Sequence, residues 1–514
     1  MRLAGAVTIV PEVSDDPLLA ELKERLAEVD DLGGVGGLLA WDQQTCMPPA
    51  GAATRAAQRA TVHKLAHELF THDRVGELLE QLVPLEESLP YDSDEAGMLR
   101  VTRRAYDKAR RVPASLAAEM SHASSEAHEA WVEAREASDF ARFRPHLERG
   151  LELRQRYIDC FPPSDNPYDI LLDDYEEGMT AAEATAVFDE LKTTLVPLID
   201  AVVDRADSVD DSFLHGSFPR ERQEWLVEEV LQTFGFDRSS WRLDTVVHPF
   251  ALSLGPGDVR ITTRFHEDYL PTALFGAMHE CGHGLYEAGI DPRLARTGIG
   301  HATSLSIHES QSRMWENLVG RSRPFWQRFF PDLARSFPDT FGGMDAEAFY
   351  RGINKVQPSL IRIEADEATY NLHIVLRFEL EQDVTAGRLA VADLPEAWNQ
   401  KMRDYLGIEV PDDAHGVLQD VHWSFGFGYF PTYSLGNVIA GQLWERIRVD
   451  IPDIDERIGR AELGELREWL REHIHQHGAK YTMRELLERV VGTGLDPQPY
   501  ASYLKAKLTD IYGL

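Results

Sequence analysis

Apolar residues recur at helical spacing through most of this chain. TAAEATAVFDELKTTLVPLID opens with Thr180 and Glu183 in capping-box positions and continues with apolar residues three and four apart. DPLLAELKERLAEVDDL, ERQEWLVEEVLQTFGF and LGELREWLREHIHQHG follow the same period, and YTMRELLERVVGTG ends in glycines suited to a helix C-cap. One region breaks the pattern. In DTVVHPFALSLGPGDVRITTRF (244–265), two runs rich in Val, Thr, Ile and Phe flank GPGD, which predicts a hairpin. The expected class is mainly α with one small β-sheet. That sheet is either a purely structural hairpin or an edge able to take an extended peptide as an added strand.

Length alone would allow about three domains, but no linker, Pro-rich tract or repeat divides the chain. The nearest thing to a boundary, Ser208–Glu224, reads as a loop plus a helix start. A single domain over 1–514, with two lobes around a cleft, is the expectation. Composition is that of a soluble globular protein, 43% hydrophobic and 27% charged. The net charge of −34 argues against nucleic acid and anionic membrane surfaces as partners. The acidic excess, with arginine favoured over lysine, fits either a salt-rich cytoplasm or a GC-rich genome. Three cysteines, Cys46, Cys160 and Cys281, form no disulfide framework. The first residues, MRLAGAVTIVPEVSDDP, show no leader core, and no apolar run is long enough to span a bilayer. A cytoplasmic location is expected.

The candidate chemistry centres on HECGH, residues 279–283. On a helix, positions i and i+4 lie about 40° apart around the axis, so His279 and His283 can share one metal. Glu280 stands about 100° round, too far to ligate easily but placed to act on a water as a general base. Cys281 points to the far side and reads as a buried thiol. Gly276, Gly282 and Gly284 are costly in a helix, which suits a backbone or substrate approaching closely. The metzincin pattern is excluded, because Tyr286 and Gly289 stand where it needs Gly and His. A catalytic zinc takes a third protein ligand and leaves one position open. Glu309, in the helical stretch SLSIHESQSRMWENLVG, is the leading choice, with Glu287, Asp291 and His301 as competitors. His308 lies about 100° from Glu309 on that helix and suits a supporting or packing role. The histidines of EHIHQHG do not share a helix face and read as surface or helix-end residues.

HECGH followed by HESQSR resembles the carboxypeptidase Taq (M32) metallocarboxypeptidases. WDQQTCMP, HPF, DVRIT, IRIEAD, GVLQDVHW and GYFPTYSLGN match the same family in order. The resemblance implies a two-lobed helical shell around a deep groove, similar to angiotensin-converting enzyme and neurolysin. It implies a homodimer acting on peptides and removing single residues from their C-termini with broad specificity. It implies one zinc ion per chain, for which cobalt can substitute, held by His279, His283 and Glu309 with Glu280 as base. His422 and Tyr433 fall in segments that face the metal in that family, and both can donate to an oxyanion.

An exopeptidase must hold a free α-carboxylate against a strongly negative global charge, which calls for a local arginine fork. Arg362 is the leading candidate, with Glu364 and Asp366 close enough in sequence to occupy it instead. Arg260 and Arg264 share one face of the second hairpin strand and either line the groove or face solvent. His248 is a further substrate-binding candidate, with Pro249 pointing to a strand end. Two other readings remain: an endo-oligopeptidase or dipeptidyl carboxypeptidase on the same shell, and a non-catalytic helical protein in which zinc is structural.

Overall fold

The computed structural model describes residues 16–514. Residues 1–15, which carry most of the stretch read as leaderless, lie outside the described residues. The described residues are 68% helical, with a single three-stranded sheet among them. Local chemistry sets many of the boundaries. Asp16 caps the helix Pro17–Thr45 by accepting from the Leu18 and Leu19 amides, with Pro17 in the first turn. The expected capping box of Thr180 and Glu183 opens the helix Ala181–Val203, and a second one, Thr482 with Glu485, opens Met483–Val490. The stretch before Arg220 is short turns, and the helix Arg220–Phe234 starts where the loop reading ended.

The expected hairpin is present, with one correction. Strands β2 (Ala251–Ser253) and β3 (Val259–Thr263) are antiparallel, and the turn between them uses Gly255 and Gly257 at positive φ. The first run does not extend β2. Its start, Asp244 and Thr245, belongs to β1 (Trp241–Thr245), which pairs parallel to β3, giving the order β1-β3-β2. Between β1 and β2 the ladder is interrupted: Val246 still donates to the Thr263 carbonyl at 3.1 Å, Pro249 has no N–H to give, and Phe250 is held by Thr262, whose amide donates to the Phe250 carbonyl at 3.1 Å. The Thr262 hydroxyl accepts from the Phe250 amide at 2.7 Å and donates to its carbonyl at 2.8 Å. Arg264 is also corrected: it lies beyond the end of β3 and donates to the Val247 carbonyl at 3.4 Å. The β2 edge runs beside the helix Pro17–Thr45, where Leu252 and Leu254 lie against Gly37.

One cluster of buried apolar side chains extends from Leu19 to Tyr512. The most deeply packed part surrounds the helices Pro271–Gly289, Leu305–Arg313, Thr369–Thr385 and Pro431–Asp450. Between them, these helices carry the HECGH histidines, Glu309 and Tyr433.

Candidate metal centre and active site

Pro271 sits in the first turn of the HECGH helix, and Ala273, Leu274, Ala277, Met278 and Cys281 are buried along it. Two of its three interior glycines have a steric reason. A Cβ on Gly282 would stand 2.6 Å from both the Gln311 carbonyl oxygen and the Ser312 Cα, so this helix and Leu305–Arg313 touch backbone to backbone. A Cβ on Gly284 would meet the Trp241 ring at 2.3 Å, which seats the helix on β1. Gly276 meets only Thr263, at an ordinary 3.7 Å. The Glu309 helix is gripped from its other side as well. A Cβ on Gly436, in Pro431–Asp450, would lie 2.6 Å from the Glu309 Cβ. Ser304 caps that helix by accepting from the Ile307 amide, and its last turn widens into a π-helical segment, Met314–Val319.

This packing delivers Glu309 to the histidine pair. Its Oε2 lies 3.7 Å from His279 Nε2 and 3.5 Å from His283 Nε2. Among the described residues, His279, His283 and Glu309 form the group whose ligand atoms all lie within 4.8 Å of one another. Two ligand atoms each about 2.0–2.1 Å from a tetrahedral ion stand about 3.3–3.4 Å apart, so the spacing fits a metal. The competitors lie elsewhere: Glu287 accepts from His308, Asp291 is forked by Arg293, and His301 is exposed against the Ala302 carbonyl.

The imidazoles are held in the tautomer a metal needs. His279 Nδ1 donates to Glu316 Oε2 at 2.9 Å, which leaves Nε2 with its lone pair facing Glu309. His283 Nδ1 meets His308 Nδ1, and His308 Nε2 reaches Glu287 Oε1 at 2.9 Å. With His308 donating to that carboxylate, its Nδ1 accepts from His283, and His283 Nε2 is likewise free. Arg313 donates to Glu309 Oε1 at 2.7 Å and to Glu316 at 3.2 Å. Burial works against the Glu309 charge, but Arg313 and the two histidines outweigh it and hold the carboxyl well below its usual range. Glu316 is held down to about 2, again against burial and chiefly by Arg313. Burial and His308 push His283 down to about 3. Glu280, almost entirely buried, is pushed up to about 7 by burial.

His422 lies on a short turn, His422–Ser424, and its Nε2 stands 3.2 Å from the Tyr433 hydroxyl. Burial pushes His422 down to about 4, so it is neutral at neutral pH. Arg362 is buried and its fork is occupied, though by neither Glu364, which is exposed, nor Asp366, which caps the helix at Thr369. Its Nε and Nη2 donate to Asp420 Oδ1 at 3.1 and 2.7 Å, and its Nη1 to the Tyr370 hydroxyl at 3.1 Å. Arg260 is forked onto Asp258, two bonds of 2.8 Å, and lies over the Trp41 ring, which itself packs edge-on to Phe250. WDQQT, HPF and DVRIT therefore meet in one place. His248 is exposed on the loop between β1 and β2.

Cys281 is fully buried, as expected. The EHIHQHG reading needs correcting at its centre. His475 is 2% exposed, bonds Gln311 Oε1 through Nε2 at 2.8 Å and packs beside Tyr286. Its burial depends on Gly289, whose absent side chain leaves room for the ring. Sequence reasoning gave His308 a supporting role but took Glu287, its partner, as a competing ligand, and missed Glu316 and Arg313 as supports. A signal for Arg313 and Glu316 existed: Glu309, Arg313 and Glu316 stand at i, i+4 and i+7 on one helical face.

The comparisons agree with this geometry. The family model described as Carboxypeptidase Taq (M32) metallopeptidase matches residues 21–508. The chain is 43% identical to thermostable carboxypeptidase 1 of Thermus thermophilus over 517 aligned positions, covering 98% of this chain and 100% of that protein. It is 38% identical to carboxypeptidase 1 of Bacillus subtilis, covering 96% and 98% of the two chains. The crystal structure of the M32 carboxypeptidase from Deinococcus radiodurans superposes with a TM-score of 0.94 at 41% identity, covering 97% of this chain and 100% of that one. Trypanosoma cruzi metallocarboxypeptidase 1 gives 0.91 at 34% identity, covering 96% and 99%. The fold and site thus define a metallocarboxypeptidase. The chain belongs to the carboxypeptidase Taq (M32) family.

Proposed function

We propose that this metallocarboxypeptidase is zinc-dependent and releases single C-terminal amino acids from peptides with broad specificity. The observation that carries the reading is the His279, His283 and Glu309 cluster, with Glu280 beside it on the same helix. A zinc ion held by those three residues would supply Lewis acidity, bringing the pKa of a water down toward about 7. Cobalt is the alternative native metal.

Glu280 takes the proton of the attacking water and hands it to the leaving amine nitrogen. His422 and Tyr433, 3.2 Å apart, donate to the carbonyl oxygen as it gains negative charge. Arg362 receives the peptide's terminal carboxylate. Tyr370 supports that role: it accepts from Arg362 and carries the Arg313 guanidinium over its ring, which links Arg362 to the Glu309 end of the site. Arg260, on β3 over the Trp41 ring, and His248, on the loop between β1 and β2, are assigned to the rest of the peptide. The chain is read as a single domain over 1–514 with two lobes about the groove, working as a cytoplasmic homodimer. Three unpaired cysteines support the compartment, and among the described residues no helix is long and apolar enough to cross a membrane.

Glu280→Gln tests the mechanism. It keeps shape and removes the base, so bound metal should stay at the parent level while hydrolysis falls by roughly a thousandfold or more. Metal analysis beside peptide mass spectrometry reads both, and unchanged turnover removes Glu280 from the chemistry. An otherwise identical peptide with an amidated C-terminus should resist cleavage; cleavage at the parent rate would move the activity to the endo-oligopeptidase reading.

A further inference from the structure

Arg377 lies in the helix Thr369–Thr385 with no exposed surface. Its Nε donates to Asp420 Oδ2 at 2.7 Å, with Nη2 on the same oxygen at 2.5 Å. Nη1 donates to the His373 carbonyl at 2.6 Å and Nη2 also reaches Gln419 Oε1 at 2.7 Å. The guanidinium carbon sits 4.4 Å from the Trp398 ring centre. With no exposed surface, Arg377 cannot touch a ligand itself, whereas Arg362 keeps some. The other oxygen of the same aspartate, Oδ1, is the one that holds Arg362.

Two buried arginines therefore share one carboxylate. The groups around them do not restore the balance. His422 is held neutral by burial, and its Nδ1 stands 3.9 Å from Asp420 Oδ1. His373 is held neutral by burial and by Arg377. Tyr370 and Tyr433 are phenols pushed up by burial. Glu309 is matched by Arg313. Glu381, one turn beyond Arg377, is pushed up to about 7 by burial, and its oxygens are taken by Tyr168, Trp423 and the Gly428 amide. Two positive charges against Asp420 and an at most partly ionised Glu381 leave the cluster with a net positive charge. An uncompensated charge in a protein interior is unfavourable unless an opposite charge arrives to offset it.

We infer that Arg377 is a positioning residue that neutralises Asp420, leaving Arg362 with a net positive charge to present to the C-terminal carboxylate of the peptide. Without Arg377, Arg362 and Asp420 form a neutral pair in a chain whose net charge is −34, and the carboxylate meets no net attraction. The inference rests on the assignment of Arg362 as the carboxylate receptor.

Steady-state kinetics on an N-blocked peptide with a free C-terminus, with bound metal measured alongside, separates the two ideas. Arg377→Met should raise KM by roughly tenfold or more, with kcat within about threefold and metal unchanged. The double variant Arg377→Met/Asp420→Asn again leaves one net positive charge and should recover most of that loss. A purely structural Arg377 predicts the opposite, since the double variant removes a second buried pair. A raised KM with no recovery, or an unchanged KM in Arg377→Met while Arg362→Met raises it, overturns the inference and leaves the Arg362 assignment standing. An unchanged KM in Arg362→Met overturns that assignment itself. Should Arg377→Met fail to fold, Asp420→Asn alone decides: with two arginines and no acid, KM should fall or hold, and a rise in folded, metal-loaded protein counts against the inference.

Discussion

In the wall behind the metal cluster, glycines stand where a side chain would collide. In the helix Pro17–Thr45, Gly33, Gly34, Gly36 and Gly37 occupy four of five successive positions with little to collide with. A Cβ at Gly282 or Gly436 would come within 2.6 Å of the Glu309 helix, whereas at Gly33 it would find nothing within 4 Å. The surroundings differ in the same sense. Fourteen of the twenty residues of Pro431–Asp450 are buried, while the helix Ala52–Phe70, which pairs with the glycine-rich helix, buries none. Val35, Leu38 and Leu65 on this arm are each more than 40% exposed. In the wall, close backbone approach turns sequence into fixed ligand positions. In the arm, helix persists despite local propensity and with few buried contacts, the mark of a region that opens at low cost.

The sharpest way to break this contrast is to fill the wall. Gly282→Ala sets a methyl against backbone atoms that cannot rotate away, and Gly436→Ala sets one against the stem of Glu309 itself. Each should destabilise the protein by about 1–3 kcal/mol through overpacking. Each should also weaken metal binding by roughly a hundredfold, as the third ligand is pushed off its position. Metal titration of the purified variants reads this directly. Parent-like affinity would mean that the helix contact does not seat Glu309.

The same contrast marks what could be read in the sequence. HECGH was legible because helical period alone puts His279 with His283 on one face, and HESQSR because it offered a carboxylate on a second helix; the supports Arg313 and Glu316 share that helix face but were not picked out. The hairpin was legible from β-branched runs around GPGD. What escaped depends on distant partners. Asp420 and Arg377 stand 43 residues apart, and no local pattern joins them. His475 looked like a helix-end residue, and only the gap left by Gly289 takes it inside. The parallel strand β1 was folded into the hairpin because the capture of Phe250 by Thr262 is a tertiary event. Gly282 announced a close approach without naming what approaches.

A second test probes the wall through pH. Glu176 is fully buried at the N-terminus of the Glu309 helix, where its Oε2 accepts from the Ser306 amide at 3.2 Å and its Oε1 has no partner. Burial pushes it from an ordinary 4.5 up to about 7. Between those values the folded chain keeps a proton that the unfolded chain has released, so stability falls as pH rises through that window. Below 4.5 the penalty is absent, and above 7 it is complete. At about 1.4 kcal/mol per pH unit, it reaches about 3 kcal/mol at most. Glu176→Gln, neutral throughout, should match the parent at pH 4.5 and exceed it at pH 8 in urea unfolding. Parallel curves for the two proteins would show that Glu176 enters the fold already ionised.

The smallest effect belongs to the arm, and its sign is opposite. Gly33 takes ordinary helical dihedrals and meets no neighbour, so Gly33→Ala gains helix propensity without strain, about 1 kcal/mol in local stability. That corresponds to roughly fivefold slower hydrogen exchange at the amides of residues 33–39, with little change in the wall. Gly37→Ala makes an internal control. Its Cβ would touch the Leu254 Cδ2 at 3.0 Å, the movable end of a side chain, so some of the propensity gain is lost to that contact. The two alanines should therefore rank Gly33 above Gly37 in protection gained, and both should leave bound metal unchanged. A loss of protection in Gly33→Ala, or a metal defect like that of Gly282→Ala, would mean that the arm is packed as tightly as the wall and that its glycines serve the same purpose.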